Sequence, residues 1–154
     1  MDYLILEWVH IVSSTILFGT GIGTAFFMFM ANRRGEIAGI AFATRHAVIA
    51  DWVFTTPAVI IQPVTGLWML FIAQYSFSEP WIAGALALYV FAGACWLPVV
   101  WMQIKMRDMA QEALATGQPL PPIYWNMERW WTGLGCAAFS AIIVIFYLMI
   151  AKPG

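Results

Sequence analysis

The chain has 154 residues, of which 62% are hydrophobic and 10% are charged. Soluble domains carry about 25% charged residues, so this composition excludes an ordinary water-soluble domain and predicts that lipid covers most of the surface. The net charge of −1 and the sequence pI near 6.0 argue against nucleic acid as a partner.

Four apolar segments are each long enough to cross a membrane core, which takes about 20 residues. The predicted spans are residues 4–31, 40–73, 81–106 and 130–151. The second helix begins near Ile37, with its first turns up to Arg45 in the interface or in water, and residues 109–116 could continue the third helix beyond the membrane. We therefore expect an all-α fold: an integral membrane four-helix bundle that forms a single domain over residues 1–154.

The distribution of basic residues predicts the orientation of this bundle. Six of the seven Lys and Arg residues flank the first and third loops, and only Lys152 lies on the opposite side. Cytoplasmic loops carry the excess of Lys and Arg, so both termini are expected outside (N-out/C-out). Five tryptophans lie near predicted span ends, where indole rings favour the interface: Trp8, Trp81, Trp125, Trp130 and Trp131.

Ionisable groups inside a bilayer are costly, so each one is a functional candidate. Glu7 and His10 lie three residues apart in the first helix and therefore share a face. Histidine is the commonest side-chain ligand of metals and also binds haem iron. Two interpretations of His10 remain open: a haem ligand, or a structural group that bonds Glu7 or another helix.

His46, near the basic interface, is a second candidate, but the two histidines are not expected to share one haem. If the first hairpin turns near Gly35, His10 lies level with about Ile60, some 21 Å along the axis from His46 at a rise of about 1.5 Å per residue. His46 could hold a second haem, with Met102, Met106 or Met127 nearby, or serve as a structural or proton-handling group.

The second helix contains an unusual polar stretch. Pro57 and Pro63 remove helix hydrogen bonds, and the freed carbonyls, with Thr55, Thr56 and Gln62, can line an internal polar pocket; alternatively, the helix is simply bent. Asp51 is costly unless it has a partner. We expect Arg45, Lys105, Arg129 or a water path to provide one, in an ion pair or a proton relay.

These residues carry a family resemblance that covers nearly the whole chain. Residues 46–66, with Glu-Trp-Val-His at 7–10 and Phe-Gly-Thr-Gly-Ile-Gly at 18–23, resemble a bacterial family of four-span predicted integral membrane proteins that bears only a domain-of-unknown-function label. The resemblance implies a multi-pass protein of the bacterial inner (cytoplasmic) membrane, with the lipid bilayer as its surroundings.

A more distant resemblance is to the HemJ-type protoporphyrinogen oxidases, small helical membrane proteins that bind haem b and pass electrons towards quinone. It rests on His10, on Thr56-Pro57 followed by Gly66-Leu67-Trp68, and on Lys152-Pro153. The resemblance implies that His10 is the haem ligand. The chain departs from that pattern at residues 26–30, which are wholly apolar where those proteins carry an arginine.

The sequence thus predicts a haem b-binding membrane protein in redox chemistry or electron transfer near the quinone pool, with His10 as the iron ligand and His46 as a further cofactor candidate. Glu7, Asp51 and Gln62 are the polar or proton-handling candidates. The alternatives are a HemJ-like oxidase, a cofactor-free membrane subunit and a small transporter. Small residues in the last two spans make a homo-oligomer or a place in a larger complex plausible.

Overall fold

A computed structural model describes residues 2–153, nearly all of them helical and none in a strand. The helices are α1 (Tyr3–Arg34), α2 (Ile37–Ala50), α3 (Thr56–Ala73), α4 (Pro80–Thr116) and α5 (Pro122–Ala151), and a π-helical turn (Asp51–Thr55) joins α2 to α3. Four continuous helical segments, with α2, the π turn and α3 counted as one, are long and apolar enough to cross a membrane. The predicted all-α architecture with four membrane-crossing helices is confirmed.

Glycine and proline set the helix ends. Gly35 and Gly117 end α1 and α4 with φ angles of 74° and 67°, a conformation that glycine adopts readily because it has no Cβ. Pro80 and Pro122 begin α4 and α5. Proline is tolerated there because the N–H of the first helical residue has no partner within the helix. As a result, α4 includes residues 109–116, while α5 begins several residues before the predicted span start at Trp130.

The helices form two antiparallel hairpins that meet mainly at one end. α1 packs along α2 and α3, α4 packs along α5, and α2 packs on α4. By contrast, no Cα atom of α3 lies within 8 Å of a Cα atom of α4. We call the end with Gly35 and Gly117 the basic end, because six of the seven Lys and Arg residues lie towards it, and the opposite end the terminal end.

The tightest packing is at the basic end. Met28, Ile40 and Met106 are buried there against Tyr124, whose hydroxyl donates to Asn32 Oδ1 at 2.7 Å and so links α5 to α1. Nearer the terminal end, α1 contacts α5 through aromatic side chains. Phe18 packs edge-on against Phe139, with ring centroids 5.5 Å apart. The two hairpins are therefore joined at the basic end and separated in the middle of the bundle.

Large apolar side chains cover the outside of the bundle. Phe71 and Ile150, for example, are 83% and 84% exposed. Exposed apolar surface on this scale marks contact with lipid rather than water. This surface and the four apolar helical segments are those of an integral membrane protein.

The π turn gives the second segment two distinct faces. Pro57 has no N–H and its ring displaces the carbonyl of residue 53, and the chain responds with a wider turn in which the Thr56 N–H bonds the Asp51 carbonyl. Asp51 and Thr55 are buried on the inner face, while residues 52–54 are exposed. Such turns occur frequently at functional sites, and here the turn directs an acidic side chain inward.

Candidate functional site

A cavity of about 350 Å³ lies between the two hairpins. All four membrane-crossing segments contribute to its walls, and most of the lining is apolar, including the aromatic side chains of Phe29, Trp96, Phe139 and Phe146. Gly93 and Gly135 also line it, and a Cβ atom added to either would meet no heavy atom within 4 Å. The space beside these glycines is therefore open rather than filled by packed side chains.

Four polar residues form a hydrogen-bonded group in the cavity wall, which we call the Asp51 cluster (Asp51, Thr55, Gln103 and Trp131). The Thr55 hydroxyl donates to Asp51 Oδ1 at 2.8 Å, and the Gln103 amide donates to Oδ2 at 2.7 Å. The Trp131 indole N–H donates to Gln103 Oε1 at 3.0 Å. These bonds fix the Gln103 amide, whose nitrogen faces the carboxyl group and whose oxygen faces the indole.

Asp51 has no cationic partner among residues 2–153. The ion pair found in this part of the chain joins Arg107 to Asp108 at 2.7 Å. Arg45, Lys105 and Arg129 are exposed on the outside of the bundle, so Asp51 forms no ion pair with any of them, and the expected alternative of a water path stays a prediction. A buried acidic group beside an apolar cavity, held only by neutral donors, is a functional candidate.

Tyr89 bridges the gap between α3 and α4. Pro63 has no N–H with which to bond the Val59 carbonyl four residues earlier, and the Tyr89 hydroxyl donates to this carbonyl at 2.5 Å. Tyr89 and Val59 both line the cavity. The prediction that a carbonyl freed by proline lines an internal pocket thus applies to Val59, whose carbonyl accepts a hydrogen bond from Tyr89 of another helix.

His10 lies between α1 and α3 in a second polar group. Its Nδ1 lies 2.7 Å from Thr65 Oγ1, and Thr65 Oγ1 also donates to the Ile61 carbonyl at 2.7 Å. Because the Thr65 hydrogen is directed to that carbonyl, we assign the Nδ1–H tautomer, which leaves a lone pair on Nε2. A Cβ atom at Gly66 would come within 3.2 Å of the His10 ring, so the close fit of the ring against α3 depends on a glycine there.

Gln62 joins His10 to the cavity. Its Nε2 donates to the His10 carbonyl at 2.6 Å and to the Ser13 hydroxyl, and Gln62 itself lines the cavity. Thr55 lines it as well, but His10 and Thr56 do not. His10 therefore lies behind the cavity wall rather than in it.

His46 is exposed on the outside of α2. Its Nδ1 donates to the Phe42 carbonyl at 2.8 Å, and the centroids of the His46 and Phe42 rings lie 4.0 Å apart. Met102 and Met106, which the sequence offered as neighbours, are buried in the core. His10 contacts Thr65, which comes nineteen residues after His46 in the chain and five residues after Ile60, the predicted neighbour. The two histidines therefore lie at different levels along the bundle axis.

The structure thus brings together only some of the predicted site residues. His10 and Gln62 form one group, Asp51 belongs to another, and Glu7 is exposed and makes no hydrogen bond to His10 within the described residues. Gln103 and Tyr89 were not among the predicted site residues, and Trp131, which was expected at the interface, is buried. Gln103 could have been found as a strongly polar side chain between Met102 and Ile104, within the predicted third span.

Metal-type clusters of three or more His, Cys, Asp or Glu side chains are not found in residues 2–153. Comparison with curated proteins and comparison with solved structures gave no match. Comparison with protein families gave a match over residues 4–153 to the family described as predicted integral membrane protein (DUF2269). That match covers almost the whole chain, including both polar groups and the cavity between the hairpins, and the protein belongs to this family of integral membrane proteins.

Proposed function

We propose that the central cavity binds a lipid-soluble molecule of the quinone class and that the protein acts in redox chemistry or electron transfer near the quinone pool. The observation that carries this proposal is the combination of an apolar, aromatic-lined cavity of about 350 Å³ with a small polar cluster in its wall. Ligand sites in proteins have volumes of about 300–1,000 Å³ and a few convergent polar groups among apolar walls.

The chemistry of the walls matches a quinone in two respects. The rings of Trp96 and Phe139 offer surfaces on which a flat ring can stack. Gln103 has a second amide hydrogen, beyond the one bonded to Asp51, that can donate to a quinone carbonyl. The Asp51 carboxyl group can exchange a proton with that oxygen when the ring is reduced or oxidised.

The distribution of charge supports an orientation for this site. We propose that the basic end faces the cytoplasm of a bacterial inner membrane, because Lys and Arg concentrate in cytoplasmic loops. Both termini then lie outside, and the Asp51 cluster lies in the cytoplasmic half of the membrane.

A quinone titration tests the cavity proposal. Trp96 and Trp131 line the cavity, so a bound quinone should quench tryptophan fluorescence of the detergent-purified protein. We expect saturable quenching by a short-chain quinone, and an alkylbenzene of equal length should displace it only with an affinity at least about tenfold lower, because the alkylbenzene lacks carbonyls. Non-saturating quenching by the quinone, or equally effective displacement of the quinone by the alkylbenzene, would refute the proposal, and displacement of the quinone by an alkylammonium ion with higher affinity would favour a transporter of lipophilic cations.

A second candidate function is haem b binding through His10. The specific observation in its favour is the 2.7 Å contact between His10 Nδ1 and Thr65 Oγ1, which orients the ring. With the tautomer assigned above, Nε2 carries the lone pair that can ligate iron. His10 would hold the haem iron through Nε2, and a bound haem would supply reversible one-electron chemistry. His10 does not line the central cavity, so this haem and the cavity ligand would occupy separate sites. A HemJ-like oxidase is the enzymatic form of this candidate.

Replacing His10 with alanine is expected to remove haem completely, since the ligating nitrogen is lost. The measurement is the Soret band of protein made with adequate haem supply, oxidised and then reduced with dithionite. His46→Ala is the matched control: it should keep the His10 haem, and loss of half the absorbance would assign a second haem to His46. Absence of a Soret band in the wild-type protein would refute haem binding. The protein would then be interpreted as a cofactor-free membrane subunit in which His10 has a structural role.

A further inference from the structure

A second pocket, of about 330 Å³, lies between α2 and α4 near the basic end, away from the central cavity. Arg45 and Ile49 of α2 line it on one side, and Arg107 and Gln111 of α4 line it on the other. None of these four residues lines the central cavity. The two pockets are therefore distinct sites.

The charges around this pocket leave one positive charge without a partner. Arg107 is bonded to Asp108 through Nε at 2.9 Å and a terminal nitrogen at 2.7 Å. Arg45 is exposed and makes no ion pair within residues 2–153. Two guanidinium groups that line one pocket repel each other, and Arg45, Arg107 and Asp108 together carry a charge of +1. An anion with a single negative charge would balance it.

The surroundings of the pocket indicate an amphipathic anion. Ile49 lies one helical turn from Arg45 in the direction of the membrane interior and is 47% exposed, and Trp52 and Val53 continue this exposed apolar surface. The Gln111 amide donates to the Ala41 carbonyl at 2.9 Å and keeps a second hydrogen for an oxygen acceptor. Charged donors thus lie beside a surface suited to an acyl chain.

We propose that the pocket binds the phosphodiester head group of an anionic phospholipid, with one acyl chain along Ile49. A phosphodiester carries the single charge that the pocket lacks, and guanidinium groups bind phosphate oxygens with paired, charge-assisted hydrogen bonds. Basic pockets between membrane helices are known sites for such head groups. This lipid site does not depend on what the central cavity binds.

Native mass spectrometry tests the lipid site. The detergent-purified protein is mixed with phosphatidylglycerol or with phosphatidylcholine, and the lipid retained per chain is measured. We expect one phosphatidylglycerol to remain bound, with an affinity lowered about tenfold or more by Arg45→Gln and by Arg107→Gln. Arg34→Gln is the matched control, since Arg34 is exposed at the same end but does not line the pocket.

Three results would overturn the proposal. The first is equal retention of the two lipids by the wild-type protein. The second is an equal loss of phosphatidylglycerol in Arg34→Gln, which would indicate attraction by the whole basic end. The third is binding of inorganic phosphate that displaces the lipid, which would indicate a site for a free anion. Circular dichroism and the elution volume of each variant show whether a loss of lipid reflects misfolding.

Discussion

Replacing Gly135 with leucine should strongly weaken binding of a short-chain quinone to the central cavity, while the same replacement at Gly133 should leave binding unchanged. Both glycines lie in α5, and a Cβ atom at either would meet no heavy atom within 4 Å, so both variants are expected to fold. Gly135 lines the cavity, whereas Gly133 is exposed and does not. A leucine side chain at residue 135 occupies volume that the ligand needs.

The expected loss of affinity is at least about tenfold, equivalent to about 1.4 kcal/mol, and is measured by tryptophan fluorescence quenching. Gly93→Leu provides an independent test, because Gly93 lines the same cavity from α4 and is equally free of neighbours. Wild-type affinity in both cavity variants would mean that the ligand binds elsewhere. A similar loss in Gly133→Leu would mean that leucine disturbs α5 as a whole.

The sequence predicts the helices of this protein well because a single physical requirement governs them. Apolar segments that cross a membrane must be long and helical, and charged or turn-forming residues must end them. Residues 32–36 and 74–79 show both signals, and in the structure α1 ends at Arg34 within the first stretch and α3 ends at Ala73, just before the second. The helix α5 begins at Pro122, before the span predicted from residue 130, because the proline at its first turn is a helix signal that hydropathy does not contain.

The candidate site was harder to predict because its residues come from different helices. The polarity of Asp51 and Gln62 is visible in the sequence, but their partners depend on the rotation and depth of neighbouring helices. His10 bonds Thr65 of α3 rather than Glu7 of its own helix, and Asp51 bonds Gln103 rather than a cation. The spacing within α1 suggested a bond between His10 and Glu7, and charge suggested an ion pair for Asp51. The packing of the helices gives both residues other partners.

Trp131 illustrates the same limit. A tryptophan near a span end is usually an interfacial anchor, and nothing in the local sequence distinguishes Trp131 from Trp130. The structure does distinguish them, since Trp130 is 64% exposed and Trp131 is 8% exposed. Trp130 and Trp131 are adjacent in α5, but they point to different sides of the helix, so the first faces outward and the second belongs to the Asp51 cluster.

Replacing Gln103 with leucine is expected to cause a large loss of stability for a single substitution. Gln103 is 3% exposed and bonds two buried partners at once, the Asp51 carboxyl group and the Trp131 indole N–H. Leucine fills nearly the same volume but bonds neither, and a stranded buried polar group costs about 1–3 kcal/mol. With two groups affected, the free energy of unfolding should fall by about 2–4 kcal/mol, measured in mixed detergent–SDS micelles by circular dichroism.

Gln111→Leu is the matched control in the same helix. The amide of Gln111 donates only to the Ala41 carbonyl, which also accepts a hydrogen bond from Thr44, so its loss strands no buried group and should cost less than about 1 kcal/mol. Equal losses of stability in the two variants would contradict the prediction, because they would make the Asp51 cluster no more important than one surface bond.

A double-mutant cycle then tests whether the cluster acts as a unit. Trp131→Phe removes the indole donor itself, so in that background Gln103→Leu no longer strands an N–H group and should cost less than it does alone, by about 1–2 kcal/mol. Costs that simply add would mean that the hydrogen bond between Trp131 and Gln103 contributes nothing to stability. Coupled costs would mean that α5, through Trp131, orients the amide that holds the Asp51 carboxyl group in the cavity wall. In that case Trp131→Phe should also weaken quinone binding, even though Phe keeps an aromatic ring in the wall.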